Sequence, residues 1–81
     1  MDFDVKIYTS AACGYCERAK KLLNSLGIKF EEVSVESNPE ERARLIEEFN
    51  WMTVPAIFIN GELIGGYDEL AKMNAEGKLG V

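Results

Sequence analysis

The sequence predicts an α/β fold, a four-stranded mixed β-sheet flanked by three helices in the order β-α-β-α-β-β-α. Three observations carry this prediction. Apolar residues alternate from Phe3 to Tyr8, the period of a strand. They then recur at three- and four-residue steps from Cys16 to Leu26 and from Ala43 to Phe49, the period of a helix. Finally, the unbroken apolar run Ala56-Ile57-Phe58-Ile59 meets Asn60-Gly61, a two-residue hairpin signal.

Each element follows from local chemistry. Phe3, Val5 and Ile7 share one face of the first strand, and Thr9 to Ala12 is a short loop. The first helix runs from Gly14 to Leu26, with Cys16, Ala19, Leu23 and Leu26 on one face and Gly27 as its stop. Ile28 to Val35 is the second strand. Its alternation slips between Phe30 and Val33, which predicts a bulge or burial on both faces. Asn38-Pro39-Glu40-Glu41 opens the second helix, with Asn as N-cap, Pro at N1 and Glu at N3. Ala43, Ile46 and Phe49, with Leu45 alongside, form its apolar face. Thr53-Val54-Pro55 leads into the third strand, and Glu62 to Ile64 returns as its hairpin partner. Gly65-Gly66 opens a last helix from Tyr67 to Ala75, closed by Gly77. The first two strands, joined through a helix, should be parallel.

Residues 1-81 are read as a single domain, without repeats or linkers. A chain this short has limited stability to spare. No apolar run approaches the ~20 residues that cross a bilayer. The start, Met1-Asp2-Phe3-Asp4, lacks the basic and apolar regions of a signal peptide, so a reducing cytoplasm is expected. With 14 acidic against 9 basic residues the formal net charge is −5, and the basic residues are scattered. This argues against nucleic-acid binding. There is no histidine, which removes the commonest general base and metal ligand together.

The chemistry is concentrated in Cys13-Gly14-Tyr15-Cys16, which holds the only two cysteines. The pair lies between a strand and a helix. Two thiols three positions apart at a helix start can close into a small disulfide and reopen. Unpaired N–H groups and the helix dipole favour a thiolate on the first of them. That thiolate is the nucleophile of thiol–disulfide exchange. Cys13 is therefore read as nucleophile and Cys16, on the buried stripe, as resolving thiol. Half of a zinc site is a weaker reading, since structural zinc takes four ligands and a second chain would be needed. A structural disulfide is another, but so small a loop gains little from closure.

Cys13-Gly14-Tyr15-Cys16, Thr53-Val54-Pro55 and Gly65-Gly66-Tyr67-Asp68 stand in the order and context found in glutaredoxins. Over essentially its whole length the chain resembles that family. The resemblance implies a thioredoxin-like fold and a glutathione-dependent disulfide oxidoreductase. Glutathione would be the co-substrate, with no cofactor tightly bound. Partners would be glutathionylated or disulfide-bonded proteins, met by a monomer. It further implies a cis Val54–Pro55 bond and a Thr53-Val54-Pro55 loop lying against the cysteines. The Val54 backbone would be left to pair with substrate. Tyr15 would border the glutathione groove. In the Gly66-Tyr67-Asp68 corner, the N–H groups of Tyr67 and Asp68 would take the γ-glutamyl carboxylate, and the Asp68 side chain would meet its ammonium.

Two departures from the family pattern carry consequences. Gly14 replaces the frequent proline. In some members a small residue here accompanies a [2Fe–2S] cluster held by two chains, each giving only its first cysteine, here Cys13. Ser10 stands where many members carry Lys or Arg, and Asn50, Trp51 and Met52 stand where many carry Arg or Gln. Those basic residues meet the glycine carboxylate of glutathione, so weaker glutathione binding is expected. Two other activities therefore stay open: a small electron donor reduced by thioredoxin reductase, for example to ribonucleotide reductase, and a glutathione-ligated cluster carrier. Phe49, Trp51 and Met52 are read as packing residues. Glu31, Glu32, Glu40 and Glu41, with Arg42 and Arg44, are read as solvated faces.

Overall fold

A computed structural model describes residues 4–79. The elements are β1 (Val5–Thr9), α1 (Gly14–Ser25), β2 (Phe30–Ser34), α2 (Pro39–Phe49), β3 (Ala56–Ile59), β4 (Glu62–Gly65) and α3 (Tyr67–Ala75). They form one four-stranded sheet in the order β2-β1-β3-β4. β1 pairs with β2 in parallel and with β3 antiparallel, and β3 and β4 form the antiparallel hairpin. The predicted strand residue Phe3 lies outside the described residues.

The alternation in β1 sorts its side chains to two cores. Val5 and Ile7 face α1 and α3, packing with Ala19, Leu23, Ile57, Ile59 and Leu70. Tyr8 faces α2 and packs with Val35, Leu45, Ala56 and Phe58. Helices therefore cover both faces of the sheet, with the central strands β1 and β3 buried between them. Full burial of a side chain such as Leu23 or Ile57 is worth about 1.5–3 kcal/mol. Leu79, which the sequence reading leaves unassigned, is 1% exposed and joins the first core.

The turns follow local chemistry. Asn60 and Gly61 both take positive φ, 53° and 82°, as a two-residue type I′ hairpin turn needs. Gly27, at φ 73°, ends α1 as expected. Asn50 ends α2 in the left-handed conformation, at φ 53°, a stop signal the sequence reading passes over.

The structure resolves four expectations. First, of the two outcomes expected for β2, it shows apolar residues on both faces and no bulge; its five residues pair with β1 in unbroken register. The slip arises because Phe30 packs toward α1 while Val33 packs toward α2, so apolar residues sit on both faces of an edge strand. The irregularity lies in the hairpin instead. The register shifts between Ile57 and Phe58, which pair with Gly65 and Leu63 and leave Ile64 without a partner. Second, Gly65 closes β4 and only Gly66 caps α3.

Third, α2 buries a different face. Leu45 is its one buried residue among those described, while Ala43, Ile46 and Phe49 are exposed. Phe49 still packs edge-on against Phe58, with ring centroids 5.0 Å apart. Fourth, Asn38 is the N-cap of α2 with Pro39 behind it, as expected, but its side chain makes no cap hydrogen bond. Asn38 directs its amide back to the Ser34 carbonyl at 2.9 Å, and Glu41 accepts the Tyr8 hydroxyl at 2.9 Å. A tertiary partner in β1 has taken the carboxylate that local pattern assigns to the cap.

Candidate active site

α1 begins at the C-terminal end of β1, and Cys13 is its N-cap. Cys13 Sγ accepts a hydrogen bond from Cys16 N–H at 3.0 Å, so sulfur fills the place a Ser or Asp oxygen usually takes. The same N–H stabilises negative charge on that sulfur when the pair is reduced. No basic side chain is needed for this. Cys16 is 1% exposed, while Cys13 is half-buried at the surface. The two are joined as a disulfide with Cα atoms 5.2 Å apart, inside the range a disulfide requires.

The loop before the cysteines is held by Glu36, whose carboxylate accepts Ala11 N–H at 2.7 Å. On the other side lies Thr53-Val54-Pro55, and the Val54–Pro55 bond is cis. The Val54 carbonyl oxygen sits 3.6 Å from Cys13 Sγ. Neither the N–H nor the C=O of Val54 has a backbone partner among the described residues. An extended peptide can pair there as an added strand.

Tyr15, Thr53, Val54, Pro55, Gly66, Tyr67 and Asp68, all predicted from the sequence, line one groove of about 420 Å3. Gly66 lets the walls approach. A Cβ there would lie 3.3 Å from the Pro55 carbonyl oxygen and 3.7 Å from Trp51 Cζ2. Among the described residues, the N–H groups of Tyr67 and Asp68 have no backbone acceptor at the start of α3, so an anion placed there could accept from both. Tyr15 is 56% exposed and its ring lies 6.2 Å from that of Tyr67, forming an aromatic lip. The Arg18 guanidinium stands 5.3 Å from the centre of the Tyr15 ring.

The glutaredoxin family model matches residues 5–64. The chain is 43% identical to Glutaredoxin 3 of Escherichia coli strain K12 over 76 residues, covering 94% of this chain and 92% of that one. The solution structure of a glutaredoxin from Brucella melitensis is 45% identical, with a TM-score of 0.81, covering 94% of this chain and 83% of that one. A buckwheat glutaredoxin–glutathione complex is 31% identical, with a TM-score of 0.87, covering 95% of this chain and 73% of that one. The chain belongs to the glutaredoxin family. Its activity is thiol–disulfide oxidoreduction, and the Cys13–Cys16 pair is the redox-active disulfide of this glutaredoxin.

Three site features of this glutaredoxin escape the sequence reading. Glu69 holds the entry to α3, its carboxylate accepting Gly66 N–H at 2.9 Å, and it lines the same groove. A Glu three residues after a candidate N-cap was the available signal. Trp51 packs against the second core, as read, and is also a wall of the groove. It is half-buried, borders the groove, and its indole N–H is buried with no partner among the described residues. Arg42, read as part of a solvated face, lines a second groove with Ser10, Trp51, Thr53 and Val54. This groove adjoins the missing basic positions, so α2 returns a cation to them. Helix periodicity shows which residues share a face, but not which loop that face meets.

Proposed function

We propose that this glutaredoxin reduces protein–glutathione mixed disulfides and protein disulfides, with glutathione as its co-substrate. Cys13 Sγ, as thiolate, attacks a sulfur of the substrate disulfide. That S–S bond breaks, one thiolate leaves, and Cys13 carries the other half as a mixed disulfide. A second glutathione then releases it, or Cys16 attacks Cys13 Sγ and the enzyme closes its own disulfide. Two glutathiones reopen that disulfide, supplying the two electrons.

The observation that carries this reading is the position of Cys13 Sγ. It is capped by the Cys16 N–H and lies beside the unpaired Val54 backbone, at the groove that ends in the free N–H groups of Tyr67 and Asp68. Glutathione fits that line. Its γ-glutamyl carboxylate would lie at the start of α3, with its ammonium at Asp68. Its cysteine would pair with Val54, and its glycine carboxylate would face Arg42. The buckwheat relative's complex with glutathione supports glutathione as the ligand. We propose as well that it acts as a monomer in a reducing cytoplasm.

The test is NADPH consumption on a glutathionylated peptide with glutathione and glutathione reductase, comparing the wild type with Cys16→Ser. Turnover by both supports the proposal. Turnover by neither, with activity restored by thioredoxin reductase, would make the chain a thioredoxin-reductase-linked donor. A [2Fe–2S] cluster shared by two chains would draw only on Cys13 from this one and serve as delivered cargo. Visible absorbance after reconstitution, lost in Cys13→Ser, would bring that activity forward.

A further inference from the structure

The second groove, between α2 and the loop before Pro55, has a volume of about 210 Å3. Ser10, Glu36, Arg42 and Thr53 form its polar lining, and the other six residues are apolar. Val35 and Leu45 are buried, Trp51 and Val54 half-buried, and Ile46 and Met52 exposed. Ile46 is 38% exposed and Met52 71%. Single exposed apolar residues are ordinary on a protein surface. These two share one groove with the residue that touches the reacting sulfur.

Val54 is the link. Its carbonyl oxygen lies 3.6 Å from Cys13 Sγ, and the residue lines both grooves. A substrate strand that is bonded to Cys13 and pairs with Val54 therefore spans from one groove to the other. Its direction rests on the reading above, which sets the γ-glutamyl end toward Tyr67 and the glycine end toward Arg42. The residue after the reacting cysteine then meets the Ile46–Met52 side. Glycine has no side chain to place there and leaves the groove to water, whose share of liquid volume is about 30 Å3 per molecule.

We propose that the second groove is a side-chain subsite for the residue following the reacting cysteine of a protein disulfide, and that it selects an apolar residue there. An aliphatic side chain in the groove releases water from Ile46, Met52 and itself, a hydrophobic gain proportional to the area covered. The chemistry is the established exchange. Cys13 thiolate attacks the peptide disulfide and releases one peptide as thiolate. Cys16 then displaces the second peptide, so two electrons pass from the enzyme dithiol to the peptide disulfide.

The experiment uses the reduced full-length protein and symmetric disulfides of two blocked peptides, acetyl-Ala-Cys-Leu-Ala-amide and acetyl-Ala-Cys-Gly-Ala-amide. Neither carries a γ-glutamyl group or a free carboxylate, so the result does not depend on glutathione recognition. Single-turnover reduction should be about tenfold faster for the leucine peptide in kcat/KM, a difference of about 1.4 kcal/mol. Ile46→Asn and Met52→Asn should each pull that ratio toward one while leaving the glycine peptide's rate unchanged. Both side chains are exposed, so neither variant threatens the fold. Equal rates for the two peptides in the wild type would overturn the proposal. So would a preference that survives both substitutions. Failure here with intact turnover of glutathionylated peptide leaves the glutathione reading standing, and the converse outcome leaves the subsite standing.

Discussion

Cys13 Sγ and the Val54 carbonyl oxygen meet at 3.6 Å although 41 positions separate them in sequence. That contact joins the nucleophile to the strand-pairing edge that presents a substrate. It also explains the division of labour between the cysteines, since only Cys13 reaches that edge while Cys16 is buried beneath it.

Removing the nucleophile should therefore differ from removing the resolving thiol. Cys13→Ser is expected to lower turnover of every disulfide substrate to the uncatalysed level. Cys16→Ser should keep deglutathionylation within a few-fold of wild type and lose reduction of protein disulfides. The coupled NADPH assay on both substrate types reads the difference, and a Cys13→Ser enzyme that keeps its rate would overturn the mechanism.

Arg42 is the cation left to meet the glycine carboxylate of glutathione. A hydrogen bond to a charged group is worth about 1.5–3 kcal/mol, so Arg42→Ala should raise KM for a glutathionylated peptide by about tenfold or more. The kcat should change little, because Arg42 does not touch the sulfurs. The wild-type advantage should shrink at high salt. An unchanged KM would remove Arg42 from the site.

Gly65 stands at φ 126°, a conformation that side chains avoid, and an added Cβ would come within 2.7 Å of Glu69 Cγ. Gly65→Ala should cost about 1–3 kcal/mol of stability. It should also weaken glutathione binding, because displacing Glu69 frees Gly66 N–H and loosens the start of α3. Urea unfolding and KM measured on the same variant check both effects.

Glu32 links β1, β2 and α1. Its carboxylate accepts the Thr9 hydroxyl at 2.7 Å and the Lys20 ammonium at 3.1 Å, and these hold it below the usual carboxylate range. In the unfolded chain it titrates near the ordinary value of about 4.3. Its stabilisation is therefore present above that pH and fades as pH falls through the lower folded value. The side chain is 42% exposed, so the contribution at pH 7 should stay within about 1 kcal/mol. The stability gap between wild type and Glu32→Gln should close on going from pH 7 to pH 3.

Tyr8 sets the opposite limb. Burial, and then its hydrogen bond to Glu41, hold the phenol above its usual range. The neutral form stabilises the fold below about pH 10, and that contribution is lost as pH rises through the raised folded value. Tyr8→Phe should cost about 1–2 kcal/mol near neutrality, since Glu41 loses its donor. The gap to wild type should narrow in alkali. A constant gap across pH would show that ionisation of the Tyr8 phenol is not linked to folding.

The sequence alone determined the element order, the hairpin at Asn60-Gly61, and the cysteine pair with one buried and one accessible member. These depend on residues within a few positions of one another, where periodicity, glycine conformation and helix capping act directly. It also supplied the motifs that carry the family resemblance. The tertiary structure alone decided the strand order β2-β1-β3-β4, which face of α2 is buried, and the partner of Glu41. It also brought Arg42 and Trp51 to the grooves that Val54 borders. The physical reason is competition. Local patterns offer each carboxylate, cation or apolar stripe several partners, and packing two layers of helices on one sheet decides which is in reach. For α2, Tyr8 and Phe58 came within reach and fixed the helix with Leu45 inward, leaving Ile46 exposed in the groove that Val54 borders.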